Sequence, residues 1–147
     1  ADLDLLKTAA GAKGPNASAL IAGLKSVVVP LAAAREVFYV KTLPRYAQDT
    51  RTVYPGVDKL PADAQGALLS LVFNRGSGLT GDRRKEMKNI VALVAAKDLN
   101  GIAAQFVSMK RLWDKTALPG LHARRDEEGK LVKNARPTYP PDELVKV

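Results

Sequence analysis

The sequence of 147 residues contains no cysteine and only one histidine, and aromatic residues make up 5% of it. Without cysteine, a disulfide framework and a thiolate metal site are both excluded. A lone histidine with no acid cluster beside it argues against a metal site of any other kind. The glycine-rich segment 76–78 lacks the lysine and the preceding strand of a phosphate-binding loop. We therefore expect neither a metal nor a cofactor.

Long hydrophobic runs are also missing from the chain. No window reaches the roughly 20 apolar residues that a membrane-spanning helix needs, so we predict no membrane insertion. Asp2 and Asp4 stand where a secretory signal would have its basic region, so we expect no signal peptide in this chain.

Positive charge is abundant and is spread along the whole sequence. There are 23 Lys and Arg residues against 15 Asp and Glu, a formal net charge of +8. This balance favours polyanionic partners such as nucleic acid, an anionic membrane surface or a cell wall. Solvated helix faces account for most individual positions. Nucleic acid is the weaker expectation, because aromatic residues are few and no recognition-helix motif is present.

The periodicity of apolar residues predicts an all-α fold, a bundle of about seven helices around one buried central helix at about 61–75. Leu69 and Phe73 widen the apolar stripe of that helix, so little of it is expected to face water. We predict one helical domain over 1–133 and an irregular tail over 134–147. The domain divides into N-terminal helices with a connector (1–59) and a C-terminal lobe (60–133). The stripe of the central helix consists of Ala64, Ala67, Leu68, Leu71 and Val72.

Three motifs follow one another in the second half of the chain. They are Phe73-Asn74-Arg75-Gly76 at the end of the apolar helix, Trp113, and Gly120-Leu121 followed by Arg124-Arg125, Glu128 and Leu131. This order resembles the C-terminal helical lobe of phage-type lysozymes, glycoside hydrolase family 24. Residues 31–59 resemble the segment between the lobes in a branch of bacteriocin-like and secretion-delivered wall hydrolases.

The resemblance implies a lysozyme, an N-acetylmuramidase that cleaves the β-1,4 bond between N-acetylmuramic acid and N-acetylglucosamine. Its partner would be peptidoglycan, and it would act as a bacteriolytic, antimicrobial toxin or effector. We expect a monomer, attached to an N-terminal domain or delivery module. It would act at the cell wall, in the periplasm or outside the cell, after export or after delivery by a phage or a secretion system.

The catalytic glutamate of the family, with the hairpin lobe that follows it, has no counterpart at the expected spacing. We therefore leave the catalytic residue unassigned and expect the acid upstream of Ala1, with Glu36 as a fallback. Glycoside cleavage needs an acid of raised pKa and usually a second carboxylate. Asp126, Glu127 and Glu128 are adjacent, but their basic neighbours predict salt-bridged acids on a surface helix.

Six residues are candidates for binding the substrate, and for most of them a structural role is an open alternative. Asn74 can also cap a helix, Trp113 can belong to the core, and the paired arginines of the family pack its last helix. His122 is expected to be exposed. The six candidates are Phe73, Asn74, Arg75, Ser77, Trp113 and Arg124. A non-catalytic wall-binding module and a basic nucleic-acid binder are the alternatives to the hydrolase.

Overall fold

A computed structural model describes residues 2–147, and throughout that range the chain is helical or irregular, with no strand. Within it, no helix is both long enough and apolar enough to cross a bilayer. Short 3-10 turns connect several helices and also occur in the tail. The α-helices are α1 (Asp2–Thr8), α2 (Gly14–Leu24), α3 (Leu31–Val37), α4 (Leu43–Val53), α5 (Ala62–Arg75), α6 (Lys85–Ala95), α7 (Leu99–Ser108) and α8 (Pro119–Lys133).

The backbone stays helical from α3 to α4 through a π-helical segment, Phe38–Thr42. Pro44 follows this segment within the first turn of α4. Proline lacks the N–H that an α-helix would use, and its ring collides with the carbonyl of the fourth residue before it. The wider π turn relieves this conflict without ending the helix. Counted as unbroken stretches, the described helices number seven, and the predicted all-α fold is confirmed.

The chain divides into two compact units, one ending at Val40 and the other spanning Lys41–Val147. In the first unit, none of the described residues is buried, and several large apolar side chains face solvent. The second unit contains the hydrophobic core. Its tail after α8 forms one 3-10 turn, Pro141–Glu143, and lines a groove beside α4 and α5.

Helix α5 lies at the centre of the second unit and buries one side of its surface. The buried side chains are those of the predicted stripe, Ala64, Ala67, Leu68, Leu71 and Val72. Phe73 was expected to widen this stripe, but it is 45% exposed and packs edge-on against Tyr46, with 4.8 Å between the ring centroids. One helical step turns a side chain by about 100°, which takes Phe73 away from the face that holds Val72.

The remaining helices of the second unit close the core by packing against their neighbours. Helix α6 packs on α7, α7 packs on α8, and α8 returns to α5. The start of α7 is capped by Asp98, whose carboxylate accepts a hydrogen bond from the Gly101 N–H at 2.8 Å. The apolar residues that these three helices bury completely or nearly so are Met87, Ile90, Val94, Ile102, Ala103, Phe106 and Val132.

Candidate functional site

A surface pocket of about 610 Å³ lies where α5 ends, and polar groups dominate its wall. Helix α5 stops there because Gly76 takes a positive φ of 76°, a conformation that side chains other than glycine rarely adopt. The pocket is bounded by the last turn of α5, the 3-10 turn before α6, and the segment that leads into α8. Its lining residues are Asn74, Arg75, Thr80, Gly81, Asp82, Arg83, Arg84, Trp113 and Leu121.

Arg75 forms the inner wall of this pocket and is held there by two contacts. Its Nη2 donates a hydrogen bond to the carbonyl oxygen of Arg83, and its guanidinium lies 5.0 Å from the centroid of the Trp113 ring. Burial, with the positive charges of Arg84 and Arg125 next in importance, lowers the pKa of Arg75 to about 10. Arg75 is therefore still cationic at neutral pH, and its Nε is buried without a hydrogen-bond partner among residues 2–147.

Trp113 faces the pocket from an irregular segment between α7 and α8. Its backbone is extended, with φ −135° and ψ 140°, directly after the 3-10 turn Met109–Leu112. Trp113 is only partly buried and packs against the hydrophobic core. The indole therefore combines the two roles that were open for Trp113. It contacts the core, and it presents an accessible surface beside Arg75.

Asp82, the acidic residue in the pocket wall, is paired with an arginine that lies outside the pocket. Asp82 Oδ2 accepts a hydrogen bond from Arg111 Nη1 at 2.9 Å, and this bond and the charge of Arg111 lower the pKa of Asp82. Arg111 Nε also donates to the buried Glu86 at 2.6 Å. Burial raises the pKa of Glu86, but the bonds from Arg111 and Ser108 contribute to an opposing effect that leaves it below its usual range.

A second ionic cluster joins α8 to α5 and corrects one prediction. Glu128 was expected on a surface helix, but it is 3% exposed, and Arg125 is fully buried. Ser70 Oγ donates to Glu128 Oε1 at 2.6 Å, and Arg125 Nη2 donates to the same oxygen at 2.8 Å. Burial raises the pKa of Glu128, against the effects of Ser70 and both arginines. The expectation failed because neighbouring charges on α8 point to different sides of the helix, and one side packs on α5 and α7.

The other two acids of this trio lie on more accessible positions of α8 and are salt-bridged, as expected. Asp126 contacts Lys110 Nζ at 2.7 Å, and Glu127 contacts Lys130 Nζ at 2.8 Å. Neither residue lines the pocket at the end of α5.

The six predicted binding residues do not all meet at one place. Asn74, Arg75 and Trp113 line the pocket together, whereas Phe73 packs on Tyr46. Arg124 belongs to the α5–α8 cluster, where its Nη2 donates to Ser70 Oγ at 3.0 Å. Ser77 is exposed in the turn after α5 and lies outside the pocket lining. Glu36, the fallback acid, is exposed on α3 in the first unit.

The pocket also contains residues that the sequence motifs did not single out. Thr80, Arg83 and Arg84 join its wall, and His122 approaches Trp113 from α8. Arg83 and Arg84 directly follow Asp82 and share its 3-10 turn, so the sequence does give a signal that they lie together. No such signal exists for His122, because its contact depends on how α8 packs. Within the described range, no three His, Cys, Asp or Glu residues are grouped to hold a metal ion.

Comparison with known proteins identifies the family of this chain. The family model for phage lysozyme matches residues 23–128, which is well over half of the sequence and includes the pocket. No curated protein and no solved structure gives a match. The chain therefore belongs to the phage lysozyme family, whose members are glycoside hydrolases that act on the peptidoglycan of the bacterial cell wall.

Proposed function

We propose that this chain forms the helical side of the substrate cleft in an N-acetylmuramidase. The bond cleaved would be the β-1,4 linkage between N-acetylmuramic acid and N-acetylglucosamine. One observation carries the proposal: Asn74, Arg75 and Trp113 line a single pocket at the end of α5. The family supplies the substrate class, and this pocket supplies a surface on which a polar sugar polymer can bind.

Each of the three residues offers a different kind of contact to such a polymer. The Asn74 amide is exposed and both donates and accepts hydrogen bonds, as sugar hydroxyls and acetamido groups do. Trp113 offers an apolar ring surface. Arg75 offers a positive charge that no carboxylate in the described chain neutralises through an ion pair. We therefore propose that these residues, rather than Phe73 or Arg124, provide most of the binding.

The carboxylates nearest this pocket are poorly suited to act as the general acid, which needs a raised pKa and access to the substrate. The pKa values of Asp82 and Glu86 are lowered, and Arg111 donates hydrogen bonds to both carboxylates. Glu128 has a raised pKa, but it is buried beneath Ser70 and Arg125. These contacts support our proposal that the acid lies upstream of Ala1, with Glu36 as the fallback inside the chain.

The lack of a suitable carboxylate near the pocket also supports one alternative function. A wall-binding module without catalysis would need the pocket but not the acid. We propose that either form acts as a monomer at the cell wall, attached to an N-terminal domain or delivery module. A phage, a secretion system or another export route would bring it there.

Release of soluble muropeptides from purified sacculi, detected by mass spectrometry, tests the proposal. We would compare this chain, its Glu36→Gln variant and a version extended upstream. Release by the extended version alone supports an upstream acid. Release by this chain that Glu36→Gln abolishes assigns the acid to Glu36. If neither version releases muropeptides but both bind sacculi, the wall-binding module replaces the hydrolase.

Binding of the chain to purified sacculi tests the pocket independently of catalysis. We expect Asn74→Ala and Trp113→Ala each to reduce the bound fraction, with an affinity loss of roughly fivefold or more from the lost hydrogen bond or ring surface. Asn134→Ala is the matched control, because Asn134 is also an exposed asparagine at the C-terminal end of a helix but lies away from the pocket. If all three variants bind sacculi as well as the native chain does, the assignment of the pocket is refuted.

A further inference from the structure

The only histidine of the chain contacts the only tryptophan. His122, in the first turns of α8, has its Nε2 2.9 Å from the carbonyl oxygen of Trp113. A carbonyl oxygen accepts hydrogen bonds and cannot donate them, so Nε2 must carry the proton. Nδ1 is buried and has no hydrogen-bond partner among residues 2–147. The contact therefore fixes which ring nitrogen of a neutral His122 is protonated.

Trp113 has few other contacts that fix its backbone. It lies outside any helix, so no ladder of backbone hydrogen bonds holds its peptide groups. Its N–H donates to the Lys110 carbonyl over 3.3 Å, which is at the long end for such a bond. The turn that follows is closed by the Ala117 N–H bond to Asp114 Oδ1, which leaves the Trp113 carbonyl to His122. The hydrogen bond from His122 thus links the Trp113 peptide to α8.

The side chain of Trp113 connects this hydrogen bond to the pocket. Its ring lies under the Arg75 guanidinium, whose Nη2 is bonded in turn to the Arg83 carbonyl. A shift of the Trp113 peptide would move the ring relative to both Arg75 and Asn74. Binding sites tolerate little displacement of their contact groups, because a neighbour must hold each of them in the productive orientation.

We propose that His122 is a positioning residue, which holds the Trp113 peptide through its Nε2 proton and thereby sets the indole ring against Arg75. Its effect on ligand binding rests on the proposed function, since it requires that the pocket take a peptidoglycan fragment. The positioning of the ring does not depend on that function. The two statements can therefore fail separately.

The fluorescence of the single tryptophan tests the positioning directly. We expect His122→Ala to shift the Trp113 emission to longer wavelength and to increase its quenching by acrylamide. His122→Gln should retain the native spectrum, because its amide nitrogen can donate in place of Nε2. Glu127→Gln, at an exposed position on the same helix, is the control. Native fluorescence in a folded His122→Ala variant, or a Gln variant that behaves like Ala, would overturn the proposal.

A measurement on the unaltered chain avoids dependence on variants that fail to fold. With one histidine, nitrogen NMR gives a single imidazole signal pair. We expect the neutral ring to carry its proton on Nε2, with Nδ1 unprotonated. A neutral ring protonated on Nδ1 would leave no donor for the Trp113 carbonyl and would refute the proposal.

The dissociation constant for a purified disaccharide-tetrapeptide tests the consequence for binding. We expect His122→Ala to bind it roughly fivefold more weakly than the native chain, the equivalent of one neutral hydrogen bond, with His122→Gln close to native. Altered fluorescence with an unchanged dissociation constant would overturn the role in binding. If the native chain fails to bind the fragment, the proposed function fails, while fluorescence and NMR still decide the positioning.

Discussion

Arg111 connects residues that lie far apart in the sequence. It holds Asp82, in the 3-10 turn before α6, and Glu86, in the first turn of α6, against the turn that follows α7. Glu86 is buried, so its carboxylate depends on the bonds from Arg111 and Ser108 in place of water. At the scale of single residues, this contact fixes one wall of the pocket and makes the stability of the fold depend on pH.

The Glu86→Gln substitution measures that dependence. The folded protein lowers the pKa of Glu86, so ionised Glu86 favours folding above its unfolded pKa of about 4.3, and this contribution is lost as the pH falls through the lower folded value. We expect Glu86→Gln to reduce the free energy of unfolding by about 2 kcal/mol at pH 7, and by far less at pH values below the folded pKa. Urea denaturation of both proteins across this pH range provides the measurement.

Glu127→Gln is the matched control, because Glu127 forms an exposed pair with Lys130. Exposed pairs contribute little to stability, so its unfolding curve should follow that of the native chain at every pH. A Glu86→Gln deficit that stays constant down to low pH would contradict the role of the carboxylate charge.

The motifs in the sequence were sufficient to identify part of the pocket. Asn74 and Arg75 end the apolar helix, and Trp113 follows in the expected order, so the motif order anticipates residues that the fold brings together. The burial of Glu128 and the contact of His122 were not predictable in this way. Both depend on the rotation of α8 about its axis, and the mixed charges of α8 define no clear apolar face.

At the scale of elements, the glycine inside α5 and the glycine that ends it have different roles. Gly66 lies in the helix interior, and a Cβ added there would have no neighbour within 4 Å. Gly76 ends the helix with φ 76° and ψ −176°, a region that is essentially restricted to glycine. The first glycine is therefore replaceable, whereas the second shapes the pocket.

Alanine substitutions at these two positions should have opposite effects on stability. We expect Gly66→Ala to raise the free energy of unfolding by roughly 0.5–1 kcal/mol, because alanine favours the helix. Gly76→Ala should lower it by about 1–3 kcal/mol through backbone strain. Thermal unfolding followed by circular dichroism measures both, and destabilisation by Gly66→Ala would contradict the open space beside that residue.

Most elements of the second unit follow from sequence periodicity. The stripe of α5 lies where the periodicity predicts it. Asp98 before α7 and Pro119 at the start of α8 are residue types that favour these positions. No local pattern predicts the π segment before Pro44. A proline inside a helical pattern favours a break or a kink, and whether a helix breaks, bends or widens at proline depends on packing that no local pattern encodes.

At the scale of the whole molecule, the excess of positive charge should make wall binding sensitive to salt. Charges on the surface interact over about 10 Å in 0.1 M salt and over about 3 Å in 1 M salt. We therefore expect binding to sacculi to weaken severalfold over that range, while Trp113→Ala weakens it further at each concentration. Cosedimentation with purified sacculi provides the measurement.

Duplex DNA serves as the comparison ligand for this prediction. A purely electrostatic surface would bind DNA with a steep salt dependence and no effect of Trp113→Ala. Tighter binding to DNA than to sacculi at matched salt would favour the nucleic-acid alternative over the lysozyme.

The bond between Ser70 and Glu128 joins positions 58 residues apart, and it has a consequence for the order in which the protein assembles. Helices α6, α7 and α8 pack mainly against their sequence neighbours, and such local contacts form quickly. The contact of α8 with α5 instead closes a long loop. During synthesis, α5 leaves the ribosome before α8, so the part of its apolar side that α8 covers stays unprotected until α8 follows. The helix that covers this part of α5 is thus made well after α5 itself.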